Sequence, residues 1–210
     1  MHVISESETR GARQSAGSRS RAATRARLLA SGQSLFAERG LHSITTHDIA
    51  AHAGVAAGTF YNHFADKRAL FRELANDAVR RLEDRIERAC AGITDMPERV
   101  RAQAEALVGF AADNRDVIRM LFSGDADSAK VESDVLNELA AGIEDFRRRA
   151  IADGEMSDDL DPGVLSHAVV GMWARVVAWW AEDPSQVPPD TVVDTLTRIQ
   201  LFGTHPRRSD

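Results

Sequence analysis

The chain has 210 residues, 43% hydrophobic and 28% charged, which suits a soluble globular protein of one or two domains. Its single cysteine, Cys90, excludes an internal disulfide framework and suits a reducing compartment, so a cytoplasmic location is expected. The net charge of −6 speaks against a nucleic-acid partner until its distribution is read: residues 1–72 carry +5 and the remainder −11. A basic N-terminal part on an acidic body is the footprint of a DNA-binding module joined to a body that avoids DNA. Aromatics are scarce and Ala, Leu, Arg and Glu abundant, which favours an all-α fold.

Residues 1–20 are polar, Ser-, Gly- and Arg-rich and aperiodic, with no apolar core of a secretory signal. They read as a disordered basic tail, either solubilising or an arm that tracks phosphates. Helix one is expected from Arg21 to Arg39, with Ala22, Ala26, Leu29, Ala30, Gln33, Leu35, Phe36 and Ala37 inward and Gly40 as its left-handed cap. Arg21, Arg25 and Arg27 crowd the helix N-terminus, where the dipole disfavours cations. An external anion and ordinary solvation explain them equally well.

Residues 44–67, ITTHDIAAHAGVAAGTFYNHFADK, form the most informative stretch. A helix over Thr46–Ala53, a turn at Gly54-Val55-Ala56 and a helix over Ala57–His63 make a helix-turn-helix. Thr45 and Asp48 read as a capping box. Ile49, Ala50, Ala53, Val55, Phe60 and Phe64 supply the inner side. Thr59, Tyr61, Asn62 and His63 remain outside, and such groups hydrogen-bond phosphates or base edges.

Asp66 caps a fourth helix that reaches Cys90, with Leu70, Leu74, Ala78, Leu82, Ile86 and Ala89 on one side. Residues 92–97, GITDMP, mark the domain seam. Helix five opens at Asp95 with Glu98 and Pro97, and a short sixth helix carries Val117, Ile118, Met120, Leu121 and Phe122. Helix seven covers about 128–151. Asp161 and Pro162 open helix eight, VLSHAVVGMWARVVAWWA, which is apolar almost all round. Arg175 and His167 interrupt it and acids flank it, so a membrane span is rejected for a helix buried on several sides. With the last helix, about 189–201, it suggests a four-helix homodimer interface. Residues 204–210 read as a frayed tail. The expected domains are therefore 21–67 for DNA binding, 68–92 as a connecting helix, and 93–203 for ligand binding and dimerisation.

No catalytic constellation is found. Asp158 and Asp159 are solvated loop charges, His47 and His52 fall on different helix faces, and Cys90 lacks a basic partner. No metal ligand set, cofactor motif or phosphate loop is present. His167 reads as a satisfied core histidine more readily than as a ligand. The competing classes are a ligand-responsive regulator, an effector-independent structural DNA binder and, disfavoured, an enzyme.

Leu35-Phe36-Ala37-Glu38-Arg39-Gly40, Thr45-Thr46, Ile49-Ala50, Ala53-Gly54-Val55, Gly58-Thr59-Phe60-Tyr61, His63-Phe64 and Asp66-Lys67 with Leu70 together resemble the N-terminal domain of TetR/AcrR-type transcriptional regulators. The resemblance implies an Ω-shaped, nine-helix, two-domain homodimer bound to a palindromic double-stranded DNA operator and released by a small-molecule effector. It implies a phosphate contact at Thr45 or Thr46, a base or phosphate contact at His47, and entry of the major groove by Ala57, Gly58 and Thr59. Tyr61, Asn62 and His63 resemble contacting positions; packing against helix one is the alternative for Tyr61 and His63. Lys67 resembles a phosphate clamp. Ala57 departs from relatives with a longer polar residue, so shape readout would supplement base contacts. The expected effector lining is Phe110, Met120, Phe122, Phe146, His167, Met172, Trp173 and Arg175, with an ordinary core as the alternative for each. Arg175 and His167 would meet an anionic ligand group or a nearby acid.

Overall fold

The structure, a computed structural model, describes residues 6–124, 126–154 and 157–203, with side chains from Ser18 onward apart from 126 and 127. Nine helices and no strand occur among the described residues: α1 (Glu6–Arg39), α2 (Thr46–His52), α3 (Ala57–Tyr61), α4 (Lys67–Cys90), α5 (Met96–Asp113), α6 (Arg115–Leu121), α7 (Ala126–Ala152), α8 (Pro162–Glu182) and α9 (Pro189–Phe202). The all-α expectation holds. The chain divides into two compact units, Met1–Leu74 and Ala75–Asp210, and the division falls inside α4. The tail expected to fray, 204–210, lies outside the described residues, as do residues 1–5.

Helix α1 begins at Glu6, ahead of the start expected at Arg21. That expectation rested on missing apolar periodicity, which tests for a buried face. Glu, Arg, Ala and Gln propagate a helix without one. The inner stripe of α1 also differs. Leu28, Ser31, Leu35 and Phe36 are buried, whereas Ala22, Ala26 and Ala30 are exposed. Alanine is a weak marker of an inner face because it serves either side of a helix equally well. Leu70 approaches α1 at Gly32, where an added Cβ would lie 2.4 Å from a Leu70 methyl. Phe36 and Phe71 meet with ring centroids 5.5 Å apart. Leu41, Ile44, Ile49, Phe60 and Phe64 complete this core, each burial contributing about 1.5–3 kcal/mol.

Beyond Leu74, α7 pairs with α8, α5 with α9, and α6 with α8. Phe110, Val117, Met120, Val170, Trp173, Val177, Trp180, Val192 and Leu196 are buried among these helices. Asp95 accepts from the Glu98 N–H at 3.0 Å, and Asp161 accepts from the Val164 N–H at 2.8 Å, so both expected caps form. The Arg115 guanidinium donates to the carbonyls of Ala181 and Glu182 at 3.0 and 2.9 Å, satisfying two acceptors at the end of α8. Helix α8 is long and apolar enough to cross a membrane. Seven of its residues, including Val170, Trp173, Val177 and Trp180, are nevertheless buried, as in a core helix.

Candidate nucleic-acid interface and effector region

The capping box at α2 is complete. The Asp48 amide donates to the Thr45 hydroxyl oxygen at 3.1 Å, and the Thr45 amide donates to an Asp48 carboxylate oxygen at 2.9 Å. The Thr45 hydroxyl also donates to Asp48 at 2.6 Å, and these bonds hold the carboxyl below its ordinary value. At the other end Gly54 takes φ +66°, its amide donates to Ala51 O at 3.1 Å, and the Val55 amide donates to Ala50 O at 2.9 Å. This pair of reversed bonds is a Schellman stop, and it sets the turn into α3.

Helix α3 has only five residues, Ala57–Tyr61, shorter than the seven expected, and Asn62 follows as its cap. Phe60 is its inner anchor, fully buried beside Phe64. The sequence-predicted contacts separate into groups. Thr45, His47, Ala57, Gly58, Tyr61 and Asn62 are exposed, while Thr46, Thr59 and His63 are half-buried. Tyr61 is 60% exposed and its hydroxyl shares a 3.0 Å hydrogen bond with the Thr46 hydroxyl. Tyr61 is therefore pinned to α2 from outside the core, with its ring edge against Phe60.

Three cations behave differently from the sequence-based expectation. Lys67 is half-buried and its ammonium donates to the carbonyls of Leu41, His42 and Ile44 at 2.8, 3.0 and 2.9 Å. An ammonium has three protons, so in the free chain all are engaged, and Lys67 staples the loop before α2. Arg25 forms a two-pronged ion pair with Glu73, and its guanidinium lies 4.8 Å from the Phe64 ring centroid. Glu73 raises the Arg25 pKa further, so this arginine is compensated from within. Arg21 donates to Asn62 O at 3.2 Å, tying α1 to the end of α3. No spacing rule in the sequence signals such partners, which stand 23–48 residues away.

The eight expected effector residues do not converge. Phe110, Met120 and Trp173 are buried core, and the Trp173 indole donates to Gln200 Oε1 at 2.9 Å. Phe122 and Met172 are half-buried. Phe146 is 42% exposed beneath the Arg99 guanidinium. His167 and Arg175 are exposed, and His167 Nδ1 lies 2.9 Å from Gly163 O, which corrects the core-histidine reading. Within one chain α8 buries the side that carries Val170, Trp173, Val177 and Trp180. Of the eight, His167 alone lines either of two open grooves. One, of about 360 Å³, lies between α7 and α8 and is walled by Glu132, Leu136, Asn137, His167 and Val170. Burial pushes the Glu132 carboxyl up, opposed by the charge of Arg175. The other groove, of about 370 Å³, is walled by Met96, Arg147, Ile151, Leu160 and Leu165. No group of His, Cys, Asp and Glu suited to a metal occurs among the described residues.

Residues 28–74 match the model for bacterial regulatory proteins of the tetR family. The chain is 28% identical over 188 residues to the HTH-type transcriptional repressor KstR2 of Rhodococcus jostii, covering 85% of this chain and 90% of that protein. It is 30% identical over 151 residues to the nucleoid occlusion factor SlmA of Vibrio cholerae, covering 69% and 76%. The structure of the fatty acid degradation regulator FadR from Bacillus halodurans superposes with a TM-score of 0.74 at 20% identity, covering 88% of this chain and 97% of that one, and shares its fold.

Proposed function

The chain belongs to the tetR family of bacterial regulatory proteins, and from that premise we propose that it is a cytoplasmic homodimer that represses transcription from a palindromic operator until a small, largely apolar ligand releases it. The observation that carries the DNA-reading part is the outer side of α2 and α3. His47, Ala57, Gly58, Tyr61 and Asn62 are all exposed there, on a scaffold fixed by the capping box and the Thr46–Tyr61 bond. In this reading Thr45 and Thr46 face phosphates, and Thr59, Tyr61 and Asn62 reach base edges. Ala57 offers only a methyl contact, so DNA shape contributes the rest. His63 supports the end of α3, and Lys67 acts indirectly by holding the loop that presents Thr45.

Dimerisation is supported by apolar side chains left in solvent on α8 and α9: Val164, Trp179, Ile199 and Phe202 are 71, 42, 38 and 47% exposed. A second copy would cover them and hold two recognition helices about 34–36 Å apart, one turn of DNA. Helix α4 belongs to both units by chain continuity, so a ligand that shifts its second half biases the first. A second reading, an effector-independent structural DNA binder, draws support from the relative named a nucleoid occlusion factor. Anisotropy titrations at one fixed salt concentration test the proposal. A selected operator should bind at least about a thousandfold tighter than scrambled duplex. Equal affinity for both would contradict operator reading. Operator affinity unmoved by every compound of an apolar panel would favour the second reading.

A further inference from the structure

The corner where the start of α5, the end of α7 and the start of α8 meet carries two arginines whose buried Nε atoms have no acceptor among the described residues. Arg147 lines the groove of about 370 Å³ together with Met96, Ile151, Leu160 and Leu165. Its Nε is buried and has no hydrogen-bond partner among the described residues. Burial lowers its pKa, and no carboxylate offsets that effect. Arg99, one turn after Met96, stacks 5.6 Å over the Phe146 ring, and its Nε is likewise buried without a partner. Asp159 lines the same groove, and among the described residues Arg147 has no ion pair with it.

A guanidinium keeps its charge at any ordinary pH, so partial burial beside apolar side chains costs free energy unless an anion joins it. Apart from Ser157 and Asp159 the rest of the wall is apolar, and the charge of Asp159 repels an anion from its own side. We propose that this groove binds a small amphipathic carboxylate, its apolar body against Met96, Ile151 and Leu165 and its head on Arg147. The proposal rests on the reading of the second unit as an effector domain and adds the chemical class of ligand. A planar guanidinium engages a carboxylate with two parallel hydrogen bonds, which a neutral head group cannot match.

Titration calorimetry of the full chain with octanoate, octanol and inorganic phosphate tests it. Octanoate should bind saturably and at least about tenfold tighter than octanol, the difference expected of a charge-assisted contact. Arg147→Met should bring octanoate down to the octanol level and leave octanol unchanged, with an unaltered melting curve. Arg147→Lys keeps the charge but loses the two-pronged contact, so its octanoate affinity should fall between those of wild type and Arg147→Met, and Leu165→Ala should weaken octanoate and octanol alike. Equal binding of octanoate and octanol, octanoate binding indifferent to Arg147→Met, or absence of octanoate binding would each overturn the proposal. Phosphate binding as tightly as octanoate would also overturn it, because the apolar wall would then contribute nothing. Operator release is read separately: octanoate that binds through Arg147 yet leaves DNA bound would uphold the site and contradict its role as an effector site.

Discussion

Lys67 resembles a phosphate-binding residue in sequence, yet in the fold it spends three donors on Leu41, His42 and Ile44. Replacing it with methionine leaves those carbonyls to solvent and loosens the loop before α2. Lys67→Met should lower the unfolding free energy by about 1–3 kcal/mol in urea titrations. The dependence of log K on log salt for DNA binding should keep its slope, whereas loss of a direct phosphate contact would reduce that slope by about one. Thr59 and Asn62 sit on the outer side of α3 and contribute little to the core. Thr59→Ala and Asn62→Ala should each weaken operator binding by about 1–3 kcal/mol with an unchanged melting temperature. Operator affinity equal to wild type in both variants would remove α3 from the reading surface. The sequence identified these outward residues because they are polar positions beside the inner anchors Phe60 and Phe64. It could not identify the partner of Arg25, since Glu73 stands 48 residues away and only the packing of α1 on α4 joins them.

At the scale of elements, caps were the legible feature. Thr45 with Asp48, Asp95 with Glu98, Asp66 with Ala69 and Asp161 with Val164 all bond as local sequence rules require, because each pair closes within three residues. Thr45→Ala should cost about 1 kcal/mol of stability. Asp48 has its pKa lowered in the fold, first by the Thr45 hydroxyl, so its contribution is present above the unfolded carboxylate value and is lost as pH falls through the lowered one. The stability gap between wild type and Thr45→Ala should therefore narrow on acidification below about pH 4, measured by urea unfolding across pH, and keep the part that comes from the Asp48 amide bond to the Thr45 hydroxyl. Inner faces were less legible. Nothing in the sequence marks Gly32, yet Leu70 occupies the place of its missing side chain. Gly32→Ala should destabilise the first unit by about 1–3 kcal/mol despite the better helix propensity of alanine, as overpacking does. A rise in melting temperature would show that Leu70 yields freely.

At the scale of the whole molecule, charge and surface agree on a division of labour. The basic first part carries the exposed α2–α3 surface, and the acidic remainder carries exposed Trp179 and Ile199 on its last two helices. Ile199→Glu should shift the protein from dimer to monomer in sedimentation and weaken operator binding together with it. The family was legible because its motif is local and runs from helix one into α4. The grooves were not, because Met96, Arg147 and Leu165 come from three helices and no periodicity records that they meet. The central claim is that two copies read one palindrome. Selection of binding sites from random duplex DNA, followed by measurement of chains bound per selected site, tests it most directly. The account predicts two inverted half-sites with centres about one helical turn apart, bound by a pair of chains. A single asymmetric half-site bound by one chain, or no enriched sequence at all, would contradict it.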